Sequence, residues 1–419
     1  MRETIQQWIA DAEAELSETF AYYDRIRGVN QRKVIRGMQS ERLASSDFHW
    51  TTGYGYGDAG RDKCERIFAE VFETEDALVR PSIASGTHAL TLTLQGLLLP
   101  GDEMVSISGR PYDTMQKVIG LTGEEPGSLS EYGIGYKDVP LKEGHFDLDA
   151  FAGVITEKTK LVLIQRSSGY SLRAAHLISE MKLAIERVRQ IHPDVIIMVD
   201  NCYGEFTDQM EPSQIGADVT VGSLIKNPGG GIAISGGYIA GKAPLIERIA
   251  NRLTAPGLGK ECGLSFGTTR LTLQGLFFAP MVVANAMKGA TLFGHVFDRL
   301  GYSVFPGRDT KIRSDIVQGI ILEDPAAVIA FCRAIQRASA IDSHVEPHPW
   351  EMPGYEDQVI MASGGFVEGS SIEMSADGPL RPPYAVFYQG GLSYDQCVFA
   401  LEEVLVSMVE EGFIELGLS

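Results

Sequence analysis

The run Val195-Ile196-Ile197-Met198-Val199 is apolar at every position and stops at Asp200. A strand with one wet face alternates polar and apolar residues; an unbroken Val/Ile/Met run reads instead as a strand covered on both faces, as in a parallel sheet held between helices. The chain around it repeats that arrangement. Helical spacing is read over about 60–73, 86–97, 112–119 and 175–190, and short apolar strands over about 103–107, 160–164, 218–222 and 232–239. Such alternation predicts an α/β layer on a mostly parallel sheet. A long helical pattern over about 268–299 then leads to strands near 316–322 and 358–375 and helices over 325–338 and 393–412, read as a smaller α+β domain. From residue 1 to about 45 the pattern is an amphipathic helix, with Ile5, Trp8, Ile9, Ala12 and Leu16 at helical spacing. It is a packing element, and a partner subunit is one surface it could cover. The expected division is a helical arm over 1–50, a large domain over 51–300 and a small domain over 301–419.

Composition narrows the function. Of 419 residues, 36 are Lys or Arg and 55 are Asp or Glu, a net charge of −19 that repels phosphate backbones and anionic lipid surfaces. Nucleic acid and membrane partners are therefore not expected. The 5 cysteines, Cys64, Cys202, Cys262, Cys332 and Cys397, are scattered without a C-x-x-C pair, which suggests neither a disulfide framework nor a zinc site and fits a reducing cytoplasm. The N-terminal stretch mixes charges with apolar residues, unlike a secretion signal, and no run approaches the roughly eighteen apolar residues of a membrane helix.

Three motifs do not survive inspection. Gly55-x-Gly57-x-x-Gly60 has the dinucleotide-binding spacing, but SSDFHWTT before it is no buried strand. Gly236–Lys242 matches a phosphate loop until Ala243 stands where a magnesium-holding hydroxyl belongs. His344 and His348 have metal-ligand spacing in a Pro-broken stretch that reads as a loop, so no metal is expected.

Three other features make joint sense. Asp200 ends a buried strand at its C-terminal edge, where open α/β sheets hold ligands. Lys226 ends the strand pattern VTVGSLIK and is followed at once by Asn-Pro-Gly-Gly-Gly; a partly desolvated lysine there can act as an imine-forming nucleophile. Ser85-Gly86-Thr87 opens the helix that begins at His88, and a helix N-terminus of this kind binds anions. A carboxylate, an amine and a phosphate cradle are what pyridoxal 5′-phosphate requires of a protein.

These residues carry a family resemblance. VDNCYGEF around Asp200, GSLIKNPGGG around Lys226 and SGTHAL resemble the fold-type I pyridoxal-phosphate enzymes, the aspartate aminotransferase superfamily. TTGYGYGDAGRDKCERIFAEVF, RPSIASGTHAL, SGRPYDTM and SADGPLRPPY further resemble the aluminium-resistance or methionine gamma-lyase-like proteins, relatives of cystathionine beta-lyase and gamma-synthase. The resemblance implies a three-layer α/β/α large domain, a smaller α+β C-terminal domain, and a homodimer or homotetramer with shared active sites. It implies that Lys226 holds the cofactor aldehyde and moves the substrate Cα proton, that Asp200 keeps the ring nitrogen protonated, and that Ser85, Gly86, Thr87 and Ser223 bind the phosphate. Tyr112 would stack on the ring and help protonate the leaving sulfur, and Arg381 in LRPPY would clamp the substrate α-carboxylate. The relatives also place a Tyr and an Arg two residues apart to reach a neighbour's phosphate. Here Tyr56 is followed by Asp58, and the nearest arginine is Arg61. QRSSGYS likewise lacks the Pro-Asn-Pro of the relatives, leaving the partner of the ring hydroxyl unassigned.

The implied activity is β- or γ-elimination from cystathionine, cysteine or methionine, giving ammonia, a thiol and a 2-oxo acid. An aminotransferase or γ-replacement synthase uses the same lysine, acid and cradle. A non-enzymatic metal-stress protein on this fold is the remaining alternative.

Overall fold

The computed structural model describes residues 1–124, 126–310, 312–352 and 355–415. The chain opens with helices α1 (Arg2–Glu15), α2 (Ser17–Ser40) and α3 (Ala59–Val71), then β1 (Asp76–Arg80), α4 (Gly86–Leu97), β2 (Glu103–Ser106), α5 (Asp113–Ile119), β3 (Gly135–Asp138) and α6 (Phe151–Val154). It continues with β4 (Thr159–Gln165), α7 (Ile178–Ile191), β5 (Ile196–Asp200), β6 (Val219–Ser223), β7 (Gly237–Gly241), α8 (Ala243–Leu253) and α9 (Thr269–Arg299). The last part holds β8 (Val304–Phe305), β9 (Val317–Ile321), α10 (Pro325–Arg337), β10 (Val359–Ser363), β11 (Ser375–Pro379), β12 (Ala385–Gln389) and α11 (Tyr394–Glu410).

The first strands form a seven-stranded sheet in the order β1-β7-β6-β5-β4-β2-β3. It is parallel except for β7, which runs against both β1 and β6. The uniformly apolar β5 lies in its middle and is buried on both faces. Met198, with Leu161 and Leu163 of β4, packs toward α4 and α8, while Ile197 and Val199, with Val162 and Ile164, pack toward Met181, Ile185 and Val188 of α7. The second sheet, β10-β11-β12-β9-β8, is antiparallel throughout and closes its core against α10 and α11.

Several elements differ from the sequence reading. The single strand read over 358–375 is two, β10 and β11, folded back on one another through the segment holding Gly364, Gly365 and Gly369. The strand read from 232 starts at Gly237, because Gly231 and Gly236 take positive φ (71° and 118°) and turn the chain first. β1, β3 and β12 were not anticipated; the prolines just before β12 mask it as a loop. The failed phosphate-loop motif runs into α8, whose Ile246, Ile249 and Ala250 are buried at helical spacing. The N-terminal helix is broken at Leu16, and Ile5, Ile9, Ala12 and Leu16 enter the core of the chain's own C-terminal sheet. α9 is long and apolar enough to span a membrane by length and composition, contrary to the expectation that no stretch is. Its apolar surface is used internally: Leu276, Val283 and Met287 join one core and Phe293 and Phe297 the other.

One buried histidine ties this packing to pH. His176 lies flat on Phe146 with ring centroids 4.1 Å apart, and its Nε2 has no hydrogen-bond partner among the described residues. Burial, reinforced by the Arg173 charge, depresses its pKa from the ordinary 6.5 to about 2, so the folded chain keeps it neutral. The stability this contributes is whole above the ordinary value and is lost as pH falls toward the depressed one, about 1.4 kcal/mol per unit. Urea titrations at pH 7 and pH 5 should show the loss, and His176→Phe should reduce it; an unchanged slope in the variant would assign the acid sensitivity elsewhere.

Candidate active site

Neighbouring strands deliver the chemistry to one sheet edge. β4, β5 and β6 run parallel, with Gln165 paired to Asp200 and Asp200 to Val221, so Gln165, Asp200 and the residues after Ser223 emerge side by side at their C-terminal ends. Together with the face of the second sheet they line a cavity of about 460 Å³ that includes Thr87, Tyr112, Asp200, Cys202, Lys226 and Arg381.

Lys226 caps the short turn Asn227–Gly229, and its Nζ lies 4.0 Å above the Tyr203 ring. Burial works against its charge, but the acidic groups Cys202, Tyr203, Asp200 and Tyr112 around it more than offset that and raise its pKa. Tyr203 holds φ at +71°, a strained conformation for a side chain of this size and one that clusters at functional sites. The Asp200 carboxyl is raised by burial against the opposing pull of Lys226 and of the Cys202 N–H, which donates to Oδ1 at 3.1 Å.

Above them sits the start of α4. Ser85 is its N-cap and accepts from the His88 N–H at 3.0 Å. Gly86 has no side chain where one would intrude: a Cβ there would meet Cys202 Sγ at 3.2 Å, Ser223 Cβ at 3.4 Å and Lys226 Nζ at 4.0 Å. The free N–H groups of a helix start therefore face the same small volume as the lysine. Tyr112 shares its hydroxyl with Thr87 Oγ1 at 2.9 Å, and its backbone N–H donates to Gln165 Oε1 at 3.0 Å. Burial, and then Asp200, push its pKa up, so the phenol keeps its proton. A cradle without a Cβ, an amine and a deeply set carboxylate together fit pyridoxal phosphate.

Arg381 lies at the mouth, half exposed, with Nη1 3.1 Å from Asp357 and 3.9 Å from Asp113. Tyr56 does not line this chain's cavity and is 57% exposed beside Tyr54. Arg61 is no reaching arm: it is buried, with Nη1 donating to Gly55 O at 2.7 Å and Gly263 O at 3.0 Å, so it pins the glycine-rich loop.

Several residues in and behind the cavity wall escaped the sequence reading. Gln165 and Ser167 come from the segment without a Pro-Asn-Pro, and the strand pairing that puts Gln165 beside Asp200 was the available signal. Glu205, five residues past Asp200, is buried behind the lysine turn; burial pushes it up to about 8, and Tyr238 donates to it at 2.8 Å. Nothing in VDNCYGEF marks that glutamate as internal.

Residues 5–409 match the family described as Methionine gamma-lyase. This chain belongs to that family. Within the methionine gamma-lyase family it is 45% identical over 414 residues to the uncharacterized protein YnbB of Bacillus subtilis, covering 98% of each chain. It also resembles a solved structure from Clostridium novyi, described as a carbon-sulfur lyase involved in aluminum resistance: 46% identity, TM-score 0.93, 97% of this chain and 96% of that one. The wider fold is shared with the pyridoxal-5′-phosphate dependent protein YhfS of Escherichia coli, 19% identical, at TM-score 0.59 over 92% of this chain and 97% of that one. The architecture is thus fold type I, and the family is pyridoxal-phosphate dependent.

Proposed function

We propose that the chain is a pyridoxal-phosphate carbon–sulfur lyase acting on a sulfur amino acid by β- or γ-elimination. The observation that carries this is the convergence of Lys226, Asp200 and the α4 N-terminus on one small volume, with Tyr112 beside them. Bound there, the cofactor supplies an electron sink for a carbanion at the substrate Cα. Lys226 takes the Cα proton and can return it, because its amine hangs between the cradle and the open cavity. Asp200 would keep the ring nitrogen of the bound cofactor protonated. Gly86, Thr87 and Ser223 would hold the phosphate, with Ser85 fixing the helix start. Tyr112 offers its retained proton to the leaving sulfur. Arg381 pairs with the substrate α-carboxylate in place of Asp357, a planar match that lysine lacks. The C–S bond breaks, the thiol leaves, and hydrolysis of the remaining enamine gives ammonia and a 2-oxo acid.

The functional unit we propose is at least a homodimer. Trp50 (69%), Tyr54 (73%), Tyr56 and Phe266 (both 57%) are exposed aromatics of two adjoining loops, joined where the Gly263 N–H donates to Tyr54 O, and a cofactor contact from Tyr56 requires a second copy. Five free cysteines suit a cytoplasmic setting.

The test is a visible spectrum of the purified protein during titration with L-cystathionine and then L-methionine, with ammonia assayed in the same cuvette. A yellow band that persists through ammonia release is expected. Bleaching to the pyridoxamine form without ammonia would make it an aminotransferase, and no band after added cofactor would overturn the cofactor reading.

A further inference from the structure

The wall of the cavity opposite the lysine is a face of the second sheet. Two cross-strand rows line it: Ser363, Ser375 and Gln389 are paired in register, and so are Met361, Asp377 and Phe387. Asp377 is the one ionisable group in those rows. It is 5% exposed, its Oδ2 accepts from Gln389 Nε2 at 3.0 Å, and its Oδ1 has no hydrogen-bond partner among the described residues. Aromatic rings surround it. Tyr170, whose hydroxyl bears on the carboxyl, lies 5.1 Å from Phe387 and 5.6 Å from Tyr355, ring centre to ring centre. A buried carboxylate with an idle oxygen is costly unless a donor arrives, and more so if that oxygen is left unmatched among rings.

We infer that Asp377 is a specificity-determining residue that receives an ammonium group carried on the leaving part of the substrate. The inference rests on the lyase reading and goes further by elimination among the substrate's own groups. The α-nitrogen would be taken up by the cofactor aldehyde that Lys226 would hold. The α-carboxylate is repelled by Asp377 and attracted to Arg381 at the mouth. A methylthio group has no donor to offer. What remains is a cation beyond the sulfur, and the aromatic rings around Asp377 favour a cation as well. Burial also holds the carboxyl up at about 6, against Tyr170, Gln389 and the Lys226 charge, so an entering cation relieves a strained ionisation. The preferred substrate class is therefore a thioether of two amino acids rather than a simple S-alkyl amino acid.

The test compares L-cystathionine with S-(3-carboxypropyl)-L-cysteine, which lacks only the distal amino group, on the holoenzyme. Equilibrium binding is measured by calorimetry, and turnover by ammonia release. Wild-type protein should favour the ammonium-bearing ligand by about ten- to hundredfold, the worth of a hydrogen bond to a charged group. Asp377→Asn, which can still accept from Gln389, should bring the ratio to within about threefold of unity. Equal handling of the two ligands by wild type, or an undiminished ratio in the variant, would overturn the inference. A preference in binding that depends on Asp377 but comes without ammonia release would uphold it while removing the lyase reading.

Discussion

Lys226→Ala is expected to lower turnover by at least about 10⁴-fold and to abolish the visible band of bound cofactor, because one side chain serves as both anchor and base. The fold should survive. The amine meets the Tyr203 ring and the acidic side chains of the cavity, and Lys226 itself lies outside the strands, so no strand pairing depends on it. Removing it leaves Asp200 without its cation, and the already raised carboxyl should then hold its proton to still higher pH. Added amines of small size should restore part of the rate by replacing the missing base. Turnover of the same substrates at wild-type rate by the alanine variant would remove the mechanism entirely.

Asp200→Asn should lower kcat by about 10²–10³-fold with a much smaller effect on KM, as expected when a preorganised charge that acts on the transition state is lost. Asparagine can still accept from the Cys202 N–H, so the strand end keeps its geometry. A second signature separates this from a structural defect. Asp200 is one of the acidic groups that raise the Lys226 pKa, so the variant's lysine should release its proton at lower pH, and the ascending limb of the rate profile, which reports the free base, should move to lower pH. A variant within threefold of wild type would mean that nothing at that strand end needs a negative charge.

The large sheet was legible because burial on both faces writes itself into sequence as runs such as Val195–Val199, and strand ends then mark where ligands go. Lys226 and Asp200 were singled out by that logic, and Gly86 by the Ser-Gly-Thr helix start, with no contact information. Asp377 did not. It sits inside SADGPLRPPY, which composition reads as a polar turn, and only the registers Met361↔Asp377 and Asp377↔Phe387 show that it belongs to a buried wall. Glu205 was hidden for a related reason: a buried acid is recognisable only by what surrounds it. The sequence could name Arg61 only as the arginine nearest Tyr56, because the two backbone carbonyls that hold it in place, those of Gly55 and Gly263, are set by the fold.

The insertion of α1 into the C-terminal core bears on how the molecule is made. Ile5, Ile9 and Ala12 share a core with Leu401, Val404 and Leu405, and Arg2 pairs with Glu402 and Glu403 some 400 positions away. On the ribosome, α1 is therefore synthesised long before α11, and until elongation is nearly finished its apolar stripe has only α9, through Phe293 and Phe297, as native surface to cover. The contact is among the most non-local a chain of this length can make, which slows folding and prolongs exposure of sticky surface. Nascent chains halted before α11 should accordingly be strong clients for chaperones that hold hydrophobic helices.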